Sequence, residues 1–367
     1  MAEDWSLLLS FLPIDWRELA CQNNALKGLR QDKDEESLLR VLLMHVGCGY
    51  SLRETAVRAR QSGIATMSDV ALLKRLRKSE GWLHALCCGL FKELAVCSEL
   101  RKIPEQVRLI DASSIKEPGQ TGSVWRLHYS LSLPSLCCDF FEITPCKGQG
   151  NGESLCRYGA KEGEHLVADR GYSTAQGVYS IVSQGADVTV RLNPQNLRIF
   201  KLNGQLLNLP KVLGKVTKTR QYADVSAQIS DRNGMHCVAG RICVVRKSKA
   251  AIAIAYKKLR QRAIRKGEEL QEATLFYAQY ILVFTTVAGE QSSAKEILDL
   301  YRLRWQIELV FKRFKQQAEL GHLPKSDPAS SRAWLYGKLL TVLLTEKLIA
   351  HAERFSPWGY ALQEHDL

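Results

Sequence analysis

The sequence predicts a mixed α/β protein on three observations. Residues 1–100 place apolar side chains at helical spacing. Three strand-like runs follow between residues 107 and 144, and helical and strand-like stretches then alternate to residue 190.

The first region is helical in stretches such as Ser37-Leu38-Leu39-Arg40-Val41-Leu42-Leu43. It holds 13 Lys/Arg and 13 Asp/Glu, but the charge is segregated. Acids gather before Glu36, while residues 53–78 carry seven basic and two acidic side chains. Ser51 followed by Glu54 is a capping-box pattern. Gly63 breaks that helix, and a second one starting at Ser68 carries Lys74, Arg75, Arg77 and Lys78. Two short helices with a basic second one have the layout of a helix-turn-helix DNA reader, with Arg53, Lys74 and Arg75 as candidate contacts. A solvated helical hairpin fits the same pattern.

The strands come next. Val107-Arg108-Leu109-Ile110-Asp111 reads as a short strand ending in an acid. Residues 124–133 alternate, with Trp125, Leu127, Tyr129, Leu131 and Leu133 on one face and Arg126, His128, Ser130 and Ser132 on the other. That predicts a half-buried strand with Trp125 in the core. Residues 140–144 make a third strand, and Gly148-Gln149-Gly150-Asn151-Gly152 a loop leading into a helix. Leu166-Val167-Ala168-Asp169 is a fourth strand, again ending in an acid. Tyr172-Ser173-Thr174 opens a helix running to about residue 184, and Val188-Thr189-Val190 is a fifth strand.

Residues 193–290 change character, with alternating strands at 223–229 and 237–245 and an apolar strand at 280–284. Residues 241–266 contain ten Lys/Arg and no acid, and their second half has helical composition. This density favours a phosphate-contacting surface over a merely solvated face, through Arg246, Lys247, Lys257, Lys258 and Arg262.

Composition bounds the function. The chain has 367 residues, 46% of them hydrophobic, and a formal charge of +13, enough for a buried core and pointing to a polyanion, most simply nucleic acid. It excludes collagen, a disordered acidic protein and a small disulfide scaffold. The 11 cysteines form neither Cys-x-x-Cys nor zinc spacing, so buried thiols in a reducing, cytoplasmic setting are expected. The acidic start, Glu3 and Asp4, does not suit a signal peptide. The apolar stretch 334–352 is broken by Lys338, Glu346 and Lys347, predicting a buried helix and no membrane span. Phosphate-loop, dinucleotide and zinc-protease motifs are absent.

Two acids at strand ends are rigidly based ligands for a hard divalent cation, yet either alone suits an ordinary turn. A third element adds weight. Residues 301–315 form an amphipathic helix; at about 100° per residue, Tyr301, Arg304, Glu308 and Lys315 fall in one window of roughly 60°. Leu303, Ile307, Val310 and Phe314 define the buried face beside it. One acid among cations suits a metal-dependent phosphodiester site, the acid holding metal and the cations holding phosphate. An amphipathic surface helix carries such pairs too.

Tyr301, Arg304, Glu308 and Lys315 match the spacing Tyr-x2-Arg-x3-Glu-x6-Lys, which resembles the signature of bacterial insertion-sequence transposases of the DDE type, in the insertion-sequence-four-like group. Leu109-Ile110-Asp111-Ala112-Ser113-Ser114 resembles that family's first-Asp strand, and Ala168-Asp169-Arg170-Gly171-Tyr172 its second-Asp motif. The resemblance runs from about residue 37 to 350.

The resemblance implies an α/β fold with a ribonuclease H-like catalytic core at 105–192 and 291–355, a β-rich basic insertion domain at 193–290 and a helical N-terminal DNA-binding domain at 1–104. It implies that Asp111, Asp169 and Glu308 are catalytic and hold two Mg²⁺ or Mn²⁺, about 3.5–4 Å apart in sites of this type. Tyr301, Arg304 and Lys315 would grip phosphates of double-stranded DNA, first the transposon ends and then the target. Cut-and-paste transposition through a hairpin, by a homodimer on DNA, is the implied activity. A non-catalytic DNA-binding derivative and a metal-dependent nuclease without strand transfer are the competing readings.

Overall fold

The computed structural model describes residues 2–28, 34–99, 107–116, 124–133, 137–194, 197–317, 323 and 327–353. The domain limits expected at residues 104 and 355 lie outside the described residues.

Among the described residues six helices lead: α1 (Ala2–Ser10), α2 (Trp16–Gln22), α3 (Glu35–Val46), α4 (Leu52–Gln61), α5 (Asp69–Lys78) and α6 (Glu80–Glu99). Side-chain caps start three of them: Asp34 accepts from the Ser37 N–H, Ser51 from Glu54 and Ser68 from Ala71. Glu54 then pairs with Arg58 at 3.0 Å instead of closing the capping box.

Among the described residues, nine strands form one sheet: β1 (Val107–Ile115), β2 (Trp125–Leu133), β3 (Cys137–Pro145), β4 (His165–Ala168), β5 (Asp187–Arg191), β6 (Arg198–Phe200), β7 (Tyr222–Ser230), β8 (Cys237–Arg246) and β9 (Tyr280–Thr285). Their order is β3-β2-β1-β4-β5-β9-β8-β7-β6. The β1–β4 and β4–β5 pairs are parallel; the other neighbours are antiparallel. Three antiparallel strands followed by two parallel ones fit a ribonuclease H-like core. The strands of the 193–290 segment continue that sheet through the β5–β9 pair. On β8, Gly240 permits the close approach of β9, since an added Cβ would collide with the Thr285 carbonyl and sit 2.6 Å from the Phe284 ring.

The remaining helices are α7 (Ala175–Val182), α8 (Leu209–Leu213), α9 (Lys249–Lys266), α10 (Glu272–Ala278), α11 (Ala294–Leu303), α12 (Trp305–Gln317) and α13 (Pro328–Glu353). Alternation along β1 sends Leu109 and Ile110 into different cores. Leu109 joins Leu39, Trp82, Ile307 and Leu339, so the N-terminal helices, α12 and α13 cover one face. Ile110 joins Leu166, Tyr172, Val178 and Phe284 on the other. No helix among the described residues is long and apolar enough to cross a membrane.

Four expectations need correction. β2 is buried on both faces, with His128 and Ser130 fully covered as well as Trp125 and Leu127. Its polar side chains are tolerated because His128 bonds Thr144 at 2.9 Å and Arg108 donates to Ser130 at 3.3 Å. The loop after Gly152 leads only to a single 3-10 turn, Leu155–Arg157, and not to a full helix. Asp111 lies in the middle of β1 and not at its end. The 301–315 segment is two helices that break at Arg304. Leu303, at the end of α11, is exposed (44%), while Tyr301 and Phe311 join Ile307 in the core; the side chains of Val310 and Phe314 lie outside the described residues.

Candidate active site

Parallel pairing assembles the site. Ile110 is in register with Ala168, and Ala168 with Val190. One residue further along the same three strands stand Asp111, Asp169 and Arg191. β4 stops at Ala168 while β1 runs on beside β2 alone, so both acids emerge where the sheet opens. Asp111 is therefore at an edge created by its neighbour, although its own strand continues.

α11 and α12 deliver the third element. Ser293 and Glu296 form a capping box at the start of α11. Buried Arg241 fixes the approach by donating to the Val287 carbonyl at 2.8 Å and to Ser292, while pairing with Asp224. At the break, Arg304 N–H donates to the Tyr301 carbonyl three residues back, 3.2 Å away, a tightened turn. Tyr301 and Arg304 both reach the acids from this turn. Tyr301 OH donates to Asp169 Oδ1 at 3.1 Å. Arg304 Nη1 lies 3.0 Å from Asp111 Oδ2, and Nη2 lies 2.5 Å from Glu308 Oε1. The Nε of Arg304 is buried and has no hydrogen-bond partner among the described residues.

The electrostatics reflect this crowding. Burial lifts the Asp111 carboxyl to about 6; the Ala112 N–H and Arg304 oppose that rise, and the charges of Asp169 and Glu308 add to it. Burial works against the Arg304 charge, but Tyr301, Glu308, Asp169 and Asp111 outweigh it and push the guanidinium upward. Burial and Asp169 raise the Tyr301 phenol, which stays protonated as a donor.

Of the other predicted residues, Lys315, Arg53, Lys74, Lys257, Lys258 and Arg262 are exposed and make no ion pair among the described residues. Arg75 is a correction: it is 7% exposed and donates to the Lys27 carbonyl at 3.0 Å. Its neighbours Arg77 and Lys78 are likewise spent, on Asp327 and on the Lys27 carbonyl. Arg246 is turned inward as well, donating to the Val216 carbonyl and Gln279 at 3.1 Å each. Lys247 donates to the Ala278 carbonyl at 2.8 Å.

Two cations were not singled out from the sequence. Arg170 follows Asp169 directly, and Arg191 ends β5 in the next strand over. With Lys247 and Lys258 they line a cavity of about 220 Å³ between the end of the sheet and the α9–α10 pair. The signal available was a basic residue at the end of a third apolar strand.

A family model described as a transposase DDE domain matches residues 153–344, more than half of the chain. That range includes Asp169, Tyr301, Arg304, Glu308 and Lys315; Asp111 precedes it. The InsL protein for insertion sequence element IS186A of Escherichia coli strain K12 is 30% identical over 365 residues, covering 97% of this chain and 96% of the relative. The transposase for insertion sequence element IS421 of Escherichia coli is 30% identical over 366 residues with the same coverage. The transposase for insertion sequence element IS231F of Bacillus thuringiensis subsp. israelensis is 23% identical over 273 residues, 65% of this chain and 56% of the relative. The chain belongs to the DDE transposases of bacterial insertion sequences, and is an enzyme of that class.

Proposed function

We propose that this protein binds the terminal inverted repeats of its own insertion sequence and cuts and rejoins DNA there, with Asp111, Asp169 and Glu308 as the catalytic carboxylates. One observation carries the reading: parallel strands bring two acids side by side, and Tyr301 and Arg304 tie the Glu308 helix to both.

The donor set suits a hard divalent cation, because all three groups offer carboxylate oxygen. As the side chains stand, no three His, Cys, Asp or Glu among the described residues are close enough to share an ion. Arg304 occupies the space between Asp111 and Glu308 as a cation in its own right, so positive charge is already accepted there. Two Mg²⁺ or Mn²⁺ would be held by Asp111 with Asp169 and by Asp111 with Glu308. Such ions activate the attacking oxygen and stabilise the leaving one in in-line phosphoryl transfer.

The chain's own part is positional. Tyr301 fixes one oxygen of Asp169. Arg304 favours the ionised form of Asp111. Lys315, the exposed α9 cations Lys257, Lys258 and Arg262, and Arg53 and Lys74 of the helical 1–104 region supply sequence-independent grip on the backbone. Double-stranded transposon ends and then target DNA are the substrates, held by a homodimer with one chain per end. Cut-and-paste through a hairpin is the expected course.

The test uses the DNA flanking this protein's gene, with the terminal repeats intact, incubated with Mg²⁺ or Mn²⁺. Excision by the wild type and none by Glu308→Ala, with end binding retained, is the expected result, and a hairpin among the products identifies the route. Binding without cutting under either metal would return the protein to a non-catalytic regulator. Cutting without any strand-transfer product would make it a nuclease.

A further inference from the structure

The cavity beside Asp169 concentrates positive charge that Asp169 offsets only at Arg170. Arg170, Arg191, Lys247 and Lys258 line it, and no acid does. The side chains of Arg170, Arg191 and Lys258 make no hydrogen bond or ion pair among the described residues. Lys247 has a single partner, the neutral Ala278 carbonyl. Cations usually stay apart or share a carboxylate, because each raises the cost of charging the next. That cost is visible here: burial and the nearby Arg191 and Arg170 hold the Lys247 ammonium down at about 8. Folding keeps these groups together on a stiff frame, since Arg191 ends a central strand and Lys247 follows β8 directly. The floor is the apolar end of the sheet, Leu192 and Leu282. An anion with several oxygens would satisfy the guanidinium donors and relieve the repulsion together.

We propose that this cavity is a phosphate subsite, in which Arg170, Arg191 and Lys247 hold one backbone phosphate of the DNA strand that runs into the carboxylates. The source of the phosphate rests on the transposase reading above; the phosphate chemistry rests on the cations alone. The subsite deepens that reading by making the row of strand ends bipartite, with acids for the reacting phosphate and cations for a neighbouring one.

The test uses the full chain without divalent metal, so cleavage plays no part in it. Calorimetric titration with inorganic phosphate is expected to reveal one site per chain, weakened about tenfold in Arg191→Gln and in Arg170→Gln. Arg191→Lys, which keeps the charge but loses the planar donor pair, should fall between. A control, Lys161→Gln, removes an exposed charge elsewhere and should leave the site intact. In the second arm, binding of a terminal-repeat duplex is measured against salt. Arg191→Gln should make the slope of log K against log[salt] shallower by about one. Absence of a phosphate site in wild type, or phosphate binding equal in wild type and both Gln variants, overturns the proposal. Phosphate binding lost in Arg191→Gln with an unchanged DNA salt slope also overturns it, leaving a site for a free anion. Failure in either arm is separable from failure of the transposase reading, which is judged by metal-dependent excision.

Discussion

The two halves of one row of strand ends treat charge in opposite ways. At β1 and β4 the acids Asp111 and Asp169 meet partners from the same chain, Arg304 at 3.0 Å and Tyr301 at 3.1 Å. At β5, Arg191 joins Arg170, Lys247 and Lys258 around a cavity without an acid. The first half carries its own counter-charge and must exchange it to work. The second is left unbalanced by folding and waits for charge from outside. A polyanion-handling enzyme can thus keep its acids ionised internally while reserving cations for substrate.

The contrast is most easily undone at the acids. Asp169→Asn keeps a partner for Tyr301 but removes a negative ligand. Excision measured on terminal-repeat DNA should fall on the order of 10³-fold or more, with end affinity little changed. An active Asp169→Asn protein would separate the carboxylate row from the chemistry.

The next prediction concerns the base on which both halves stand. His165 is buried in β4 and shares a 2.7 Å hydrogen bond with Thr189, which in turn lies 2.8 Å from Thr285, linking β4, β5 and β9. Burial lowers its pKa from the ordinary 6.5 to about 4. The folded state therefore takes up its proton later than the unfolded state. The stability this group contributes is complete above pH 6.5 and is lost as pH falls toward 4, on the order of 3 kcal/mol in all. Urea midpoints between pH 7 and 5 should drop in wild type and drop less in His165→Gln, where buried His128, also held low, still contributes.

Arg304→Gln probes the internal counter-charge directly. Without the guanidinium between Asp111 and Glu308, Mn²⁺ binding in the absence of DNA, read by calorimetry, should tighten about tenfold, while terminal-repeat affinity weakens several-fold. Arg191→Gln should leave Mn²⁺ binding within about twofold of wild type. Equal metal affinity in wild type and Arg304→Gln would deny Arg304 its place as the internal counter-cation. The smallest effect belongs to the outlying surface: Lys257→Gln on α9, or Lys74→Gln on α5, should each weaken DNA binding about two- to threefold at moderate salt, visible chiefly as a shallower salt slope.

Much of the architecture is legible in local sequence. Period-two alternation located the strands around Trp125, Ala227 and Val244, and period 3.6 the helices around Leu39 and Ile307. The spacing of Tyr301, Arg304 and Glu308 identified which side chains share one side of their segment, and the Ser68 and Thr174 caps gave helix starts. Long-range pairing settled what no local window contains. Asp111 became an edge residue because β4, some fifty positions away in sequence, stops one residue short of it. Leu303 lies exposed where the helix breaks at Arg304, whose side chain pairs with Asp111 on a distant strand. Arg75 was drawn inward by loop carbonyls at Ala25 and Lys27, a partner choice that its basic, exposed-looking helix does not announce. The cation cavity arose only when β5, the end of β8 and the α9–α10 pair came together. The physical reason is common to all four. Periodicity reports the face a residue occupies on its own element, whereas the charge and hydrogen-bond partners that fix its role come from elements joined through hydrogen-bonded register and packing far along the chain.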